Sequence, residues 1–367
     1  MIKFLIAYLL VHIATYFLIV HKLAKGHLKN KDNQELKKRF GPFCRNDLDN
    51  WHWLKTLPFY MFFWPRFILG WINTLFYSTF TILCMLGVKD AHEVGPVRKF
   101  LVSAMGLVCC RLHCFLGGLY WSKIEYVSTG EGDYRKWLGK DWKPEWKGSG
   151  TIVANHVCWM DICYTLAYFF PSFVSKKEVR NIPGIGLIAM AIDCVFLDRA
   201  GTKEEKIKAA ETIENRQQEN ERTGRSPVLI FPEGATTNNE QVIKFKRGAF
   251  SGLHSVQPMA FKYWSLNGIS PQNDTISMYM FFFSQMSAFT TLHLKVYPVF
   301  KPNDYFWEHH WSESSGEQKW EAYARVVREQ IIAKSFGFSL RDDVQMEDKF
   351  EFKDIMKGKT PKTKKEQ

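Results

Sequence analysis

Between Phe67 and Val88 the chain carries no charged side chain, and Trp64-Pro65-Arg66 stands directly before that run. About 20 apolar residues make a helix long enough to cross a bilayer core, and an aromatic residue beside a first-turn proline suits a helix that starts at an interface. This run therefore constrains the fold most: part of the chain is built to meet lipid. A second run, Phe100 to Trp121, carries Arg111 and His113 near its middle. A charge there costs roughly 3 kcal/mol on insertion scales, so this helix is expected to lie in the interface or to pack on protein. With the polar link Lys89 to Lys99, the two runs make a hairpin or re-entrant element. A third run, Ile2 to Val20, has Lys3 as its one charge and ends at His21, Lys22 and Lys25. No small-x-small cleavage site follows it, so it is expected to be a retained anchor whose basic flank lies in the cytosol.

Composition fits a lipid-facing chain, since aromatics are 16% of the residues, with 13 Trp and 30 Phe. A large soluble aromatic core is the competing explanation. The net charge of +12 gathers at Lys22 to Arg39, Lys244 to Arg247 and Lys353 to Lys365, which favours anionic lipid surfaces and phosphate-bearing ligands. Nucleic acid is not an expected partner, because there is no zinc-finger spacing, RNA-recognition signature or basic zipper. The eight cysteines form no C-x-x-C pair and half lie in apolar runs, so they read as buried small hydrophobes in a reducing compartment, not as a metal site.

From about Glu125 the pattern changes to short β-rich runs alternating with helical ones, as in α/β proteins. Strands are expected at Thr151 to Asn155, Asp193 to Leu197, Pro227 to Phe231, Val256 to Lys262 and Thr290 to Val299. Helices are expected from Thr202 to Thr223, with a Thr202-x-x-Glu205 capping box, and from Gln318 to Lys334. The fold class that results is α/β: a mixed, mostly parallel sheet flanked by helices, with N-terminal membrane-embedded helices. The organisation follows as a membrane anchor (1–30), a basic and aromatic linker (31–66), a membrane-embedded helix hairpin (67–122), a catalytic domain (123–305) and a C-terminal helical segment with a basic tail (306–367).

The strand beginning at Thr151 runs into Asn155-His156-Val-Cys-Trp-Met-Asp161. On a regular helix, side chains five residues apart point about 140° away from each other, so a helix face does not join His156 to Asp161. A strand–turn–helix reversal does, with His156 in the turn and Asp161 in the first helical turn, at the positive end of the helix dipole. Neutral imidazole, with an ordinary pKa of about 6.5, takes a proton on one nitrogen when an acceptor holds the other. Asp161 is that acceptor, and the substrate supplies the hydroxyl nucleophile. Cys158 between them offers a covalent route, but packing is the expected role.

H-x-x-x-x-D alone is a weak signal, but it is followed in order by Phe196-Leu-Asp-Arg199, Phe231-Pro-Glu-Gly234 and Val256-Gln-Pro258, each at a strand end or turn. On these residues the sequence resembles the glycerolipid acyltransferase family, and within it the lysophosphatidylcholine and lysophosphatidylethanolamine acyltransferases. The resemblance covers about Phe67 to Asp304. It implies a membrane enzyme that transfers a fatty acyl group from acyl-CoA, a co-substrate and not a bound cofactor, to the free hydroxyl of a lysophospholipid. His156 would be the base and Asp161 its partner. Arg199 would lie near the acceptor phosphate, Glu233 against the acceptor with Gly234 allowing close backbone approach, and Pro258 in the acyl-side wall. Lys244, Lys246 and Arg247 would neutralise phosphates of CoA or headgroup; a solvated basic edge explains them nearly as well. No metal is implied.

Two departures stand out. Asp193 occupies the position where the family's second block usually has glycine, and Thr236 the position where many lysophosphatidate acyltransferases carry arginine. The second favours an acceptor with a phosphodiester. A glycerol-3-phosphate or lysophosphatidate acyltransferase is the alternative inside the family, and a non-catalytic membrane lipid-binding protein the alternative outside it. No EF-hand loop follows Val299. Glu178 to Gly186 fits no phosphate-loop spacing and reads as a turn near the site. Asn273-Asp-Thr275 matches the glycosylation pattern, but a cytosolic domain does not meet the transferase. Lys364-Lys365-Glu-Gln367 resembles a di-lysine retrieval signal, which implies the endoplasmic reticulum membrane with the catalytic domain facing the cytosol.

Overall fold

The computed structural model describes residues 2–18, 25–51, 53–88, 94–182, 184–197, 203–273 and 288–359. Arg199, Thr202 with its capping box, Asp274-Thr275 and Lys364-Lys365 lie outside the described residues.

Short runs between Leu119 and Val296 form a seven-stranded sheet of order β1-β8-β7-β2-β5-β3-β4. The strands are β1 (Leu119–Tyr126), β2 (Thr151–Ala154), β3 (Ser172–Lys176), β4 (Val195–Leu197), β5 (Val228–Ile230), β7 (Gln257–Ser265) and β8 (Thr290–Val296). β6 (Gln241–Ile243) and β9 (Ser339–Arg341) pair in parallel as a separate ribbon. In the main sheet β7 and β8 are antiparallel and the other pairs are parallel, so the sheet is mixed and mostly parallel. Position in the sheet explains composition. β2 and β5, covered on both faces, are wholly buried and apolar except for Thr151, whereas β8 alternates buried and half-buried residues.

Nine helical segments serve as landmarks: α1 (Ile2–Leu18), α2 (Gln34–Phe40), α3 (Phe63–Cys84), α4 (Pro96–Leu116), α5 (Met160–Tyr168), α6 (Ile185–Ala191), α7 (Lys203–Thr223), α8 (319–336, with a π-helical centre) and α9 (Asp348–Met356). One face of the sheet, with Ile152, Leu229 and Met259, packs on Cys110 and Cys114 of α4 and on Met160 and Tyr164 of α5. The other, with Val153 and Val228, packs on Ile213 of α7 and on Tyr323, Val327 and Ile331 of α8.

α3 and α4 are long and apolar enough to cross a membrane by length and composition, and α1 is a shorter apolar helix. Both long helices begin about four residues before the apolar runs do, α4 because Pro96 opens its first turn. They pack on each other through polar contacts: Asn73 donates to the Cys109 carbonyl at 2.9 Å and the Tyr77 hydroxyl to the Val102 carbonyl at 3.1 Å. Gly106 makes this approach possible, since a Cβ there would meet the Tyr77 oxygen at 2.5 Å. Outer residues such as Leu69, Ile72, Leu75, Phe100, Val108 and Phe115 are exposed. Arg111, although exposed, donates from Nε to the Ala167 carbonyl at 3.3 Å, and the half-buried His113 ring meets Trp159 edge-on at 4.7 Å.

The terminal segments are more integrated than their composition implied. Phe40 and Phe43, from the stretch expected as a linker, pack with Ile243 and with Phe352 and Met356 of α9. α8 supplies core residues, and β9 completes the ribbon with β6.

Candidate active site

The site is assembled where β2 stops. β2 pairs with β7 up to Ala154 opposite Met259, and Asn155 then continues the ladder with its side chain: Nδ2 donates to the Phe261 carbonyl at 3.0 Å and Oδ1 accepts the Phe261 N–H at 2.8 Å. The main chain is thereby released to turn. His156 stands in that turn, and α5 begins four residues on.

Asp161, in the first turn of α5, is wholly buried. Its Oδ2 faces His156 Nδ1 at 2.8 Å and accepts the N–H groups of Val157 at 2.7 Å and Cys158 at 3.0 Å; its Oδ1 accepts the Tyr263 hydroxyl at 2.6 Å. These donors compensate the burial of a charge. With Nδ1–H on the carboxylate, Nε2 presents its lone pair, and among the described residues no hydrogen bond occupies it. The imidazole stacks on Phe231, with centroids 3.9 Å apart and planes 11° from parallel, and its side chain is 16% exposed. The ring is thus held by the carboxylate and by Phe231 and stays partly exposed. Cys158 is buried and keeps its proton, because burial pushes its thiol well up; it packs beneath the loop.

The loop after β5 holds the backbone of His156. Glu233 is wholly buried, with Oε1 accepting the His156 N–H at 2.9 Å and Oε2 the Ile243 N–H at 3.1 Å. Burial pushes its carboxyl up to about 8. Thr237 N–H donates to the His156 carbonyl at 2.8 Å, so both peptide groups of His156 are tied to this loop. Glu233 therefore faces backbone amides and not an exposed acceptor surface, a placement that differs from the one the resemblance implied. Gly234 adopts φ +72, the left-handed region that favours glycine.

The remaining sequence candidates separate. Lys246 flanks the Gly234 turn and pairs with Glu347 at 2.9 Å. Lys244 lies 3.8 Å from Glu321 and lines a groove of about 450 Å³ with Trp320 and Arg325. Arg247 is exposed at the start of a 3₁₀ turn. Pro258 is buried in β7 opposite Val153, roughly 10 Å down the strand from the level of His156. Asp193 has φ +62 and its carboxylate accepts two hydrogen bonds from Arg216, at 2.6 and 3.0 Å, so an ion pair anchors a turn where glycine was expected. Thr236 accepts Lys349 Nζ of α9 on its carbonyl at 2.8 Å and on its hydroxyl at 2.5 Å.

Three contributors were missed at the sequence level: Tyr263, Asn155 as a ladder extender, and α9 as a cover for the Gly234 loop. An asparagine at the end of an apolar strand was a signal for the second. No local signal marked the other two, which act across about 100 residues of chain.

A histidine held by a buried carboxylate and by ring stacking stands at the strand end, and the Acyltransferase family model matches residues 130–262, which include it. The chain is 27% identical over 268 residues to lysophospholipid acyltransferase LPEAT1 of Arabidopsis thaliana, covering 63% of this chain and 67% of that protein. It is 34% identical over 131 residues to a lyso-ornithine lipid O-acyltransferase of Rhodobacter capsulatus, covering 34% and 45%, and 30% identical over 162 residues to lysophosphatidylcholine acyltransferase 2 of Homo sapiens, covering 42% and 28%. Apart from LPEAT1, these matches span less than half of each relative's length. The crystal structure of a 1-acyl-sn-glycerophosphate acyltransferase from Thermotoga maritima overlaps 74% of this chain and 97% of its own, at 19% identity and a TM-score of 0.43, too loose a likeness to argue from. Over residues 130–262 the chain carries an Acyltransferase match, and it is similar to glycerolipid acyltransferases.

Proposed function

We propose that this protein is a membrane-bound, acyl-CoA-dependent O-acyltransferase that esterifies the free hydroxyl of a lysophospholipid, giving a diacyl phospholipid and CoA. The observation that carries this reading is the 2.8 Å contact of His156 Nδ1 with Asp161, which leaves Nε2 without a hydrogen bond among the described residues on a ring that is partly exposed. In the reaction Nε2 takes the proton of the lipid hydroxyl as its oxygen attacks the thioester carbonyl. The C–O bond forms, the C–S bond breaks, and the imidazolium returns the proton to the CoA thiolate. Asp161 keeps the tautomer and steadies the imidazolium, while Glu233 and Thr237 fix the loop that carries the ring.

Arg199 is assigned to the acceptor phosphate and Lys246, beside the Gly234 turn, to a phosphate of CoA or headgroup, with Lys244 and Arg247 as further phosphate-neutralising groups away from that turn. The exposed apolar faces of α3 and α4 would seat the enzyme in the bilayer, with α4 packed directly on α5, so that lysolipid arrives beside the turn. Relatives named for lysophospholipids, lysophosphatidylcholine and lyso-ornithine lipid support a lysolipid acceptor. Residence in the endoplasmic reticulum membrane, with the site facing the cytosol, belongs to the same proposal.

The test is thiol release from acyl-CoA by membranes carrying wild-type or His156→Ala protein, against a panel of lysolipids and glycerol 3-phosphate. Release stimulated by a lysolipid and reduced about 100- to 10,000-fold in the variant is expected. Equal release from both proteins would replace the enzyme reading with a lipid-binding one, and stimulation by glycerol 3-phosphate alone would move the acceptor to the other branch.

A further inference from the structure

We propose that Tyr263 is a positioning residue for acyl transfer, its hydroxyl pinning Oδ1 of Asp161 so that Oδ2 stays on His156. The inference rests on the reading of His156 as the base. A carboxylate can swing about its Cβ–Cγ bond, and the hold on Asp161 is uneven: Oδ2 is surrounded by His156 Nδ1 and two backbone N–H groups, all from its own loop. Oδ1 has the Tyr263 hydroxyl at 2.6 Å and otherwise the Cys158 thiol at 3.7 Å, a weak donor. Tyr263 comes from a different strand, so it ties the acid to the sheet and not merely to the turn.

That strand is itself fixed at this residue. Asn239 brackets the Tyr263 peptide, accepting its N–H at 3.0 Å and donating to its carbonyl at 2.8 Å, and Lys262 Nζ donates to the Asn239 carbonyl at 2.6 Å. The phenol is buried, at 3% exposure, among residues that include Met259, Phe261 and Leu292. Such a donor has little rotational freedom to lose in the reaction. Its fixed distance makes it a gauge for the carboxylate plane, and through that plane for the direction of Nε2.

The experiment is a double-mutant cycle on the full-length protein in membranes. Tyr263→Phe removes the hydroxyl and keeps the ring; kcat should fall about ten- to hundredfold, the range for a hydrogen bond to a charged group, with KM for acyl-CoA and lysolipid within about twofold. In an Asp161→Asn background the same change should cost less than about twofold, because the plane it guards no longer carries a charge. Because the cycle compares folded fractions, it keeps its meaning if Tyr263→Phe lowers the yield. An unchanged kcat in Tyr263→Phe, or the same loss in both backgrounds, would overturn the role of Tyr263 and leave the histidine reading intact. Full activity in Asp161→Asn alone would instead sink the arrangement on which both depend.

Discussion

Asn155 and Phe261 exchange two hydrogen bonds, at 3.0 and 2.8 Å, in which the side-chain amide of Asn155 meets both the carbonyl and the N–H of Phe261. The amide copies a peptide group, so the sheet stays closed while the backbone of Asn155 leaves it. Asn155→Ala would leave a buried N–H and a buried carbonyl of Phe261 without partners. A loss of about 1–3 kcal/mol follows, read as a lower denaturant midpoint, together with a fall in kcat as the turn loosens. Asn155→Asp, which keeps the acceptor but not the donor, should lie between alanine and wild type.

Asp161→Asn tests orientation and charge together. Oδ2 gathers three donors, so the amide oxygen takes that place and its NH₂ turns to Tyr263. The fold is kept, but the imidazolium formed during proton transfer faces a neutral group. The turnover rate should drop on the order of 10³- to 10⁴-fold with the thermal midpoint nearly unchanged, measured by thiol release and by melting in detergent.

Glu233 gives a pH dependence of stability with a definite sign. Its carboxyl is pushed up to about 8 in the folded protein by burial, above the usual carboxylate range of the unfolded chain. The folded state therefore holds a proton that the unfolded state has released, and this contribution is fully present below about pH 4 and declines as pH rises through 8. Glu233→Gln should flatten that decline between about pH 5 and 8. It should also cost about 1–3 kcal/mol at pH 6, because an amide nitrogen cannot accept the N–H of His156 or Ile243. Chemical denaturation at several pH values checks both; a slope that survives the substitution would assign it elsewhere.

What was legible in the sequence was local. The contact of His156 with Asp161 depends on a strand, a turn and a helix start within a few residues, and those signals all lie in one stretch. The two lipid-length runs were legible because hydropathy is additive along a chain. Roles set by burial were not. Glu233 is a charged letter between proline and glycine, and only its enclosure turns it from a surface group into a holder of backbone amides. Likewise α9 came from a stretch whose lysines suggested a solvated tail, yet Phe352 and Met356 seat it on the core and Lys349 reaches Thr236. Sequence patterns fix which residues prefer water; they do not say which distant element will cover a loop.

That cover gives the last prediction. Gly234 combines a φ of +72 with a neighbour, Met346 Sδ, 3.1 Å from where a Cβ would stand. Gly234→Ala meets two separable costs: the backbone strain of a left-handed alanine, about 1–2 kcal/mol, and a contact with a flexible side chain that can yield. Met346→Ala removes the contact and leaves the strain. If both act, the double variant should recover part of the thermal midpoint lost in Gly234→Ala but little of the rate. The residual strain sits one residue from Glu233, whose carboxyl group holds the His156 backbone. Recovery of the rate along with stability would mean that Met346, in the turn leading into α9, and not the glycine backbone, limits the geometry of the loop.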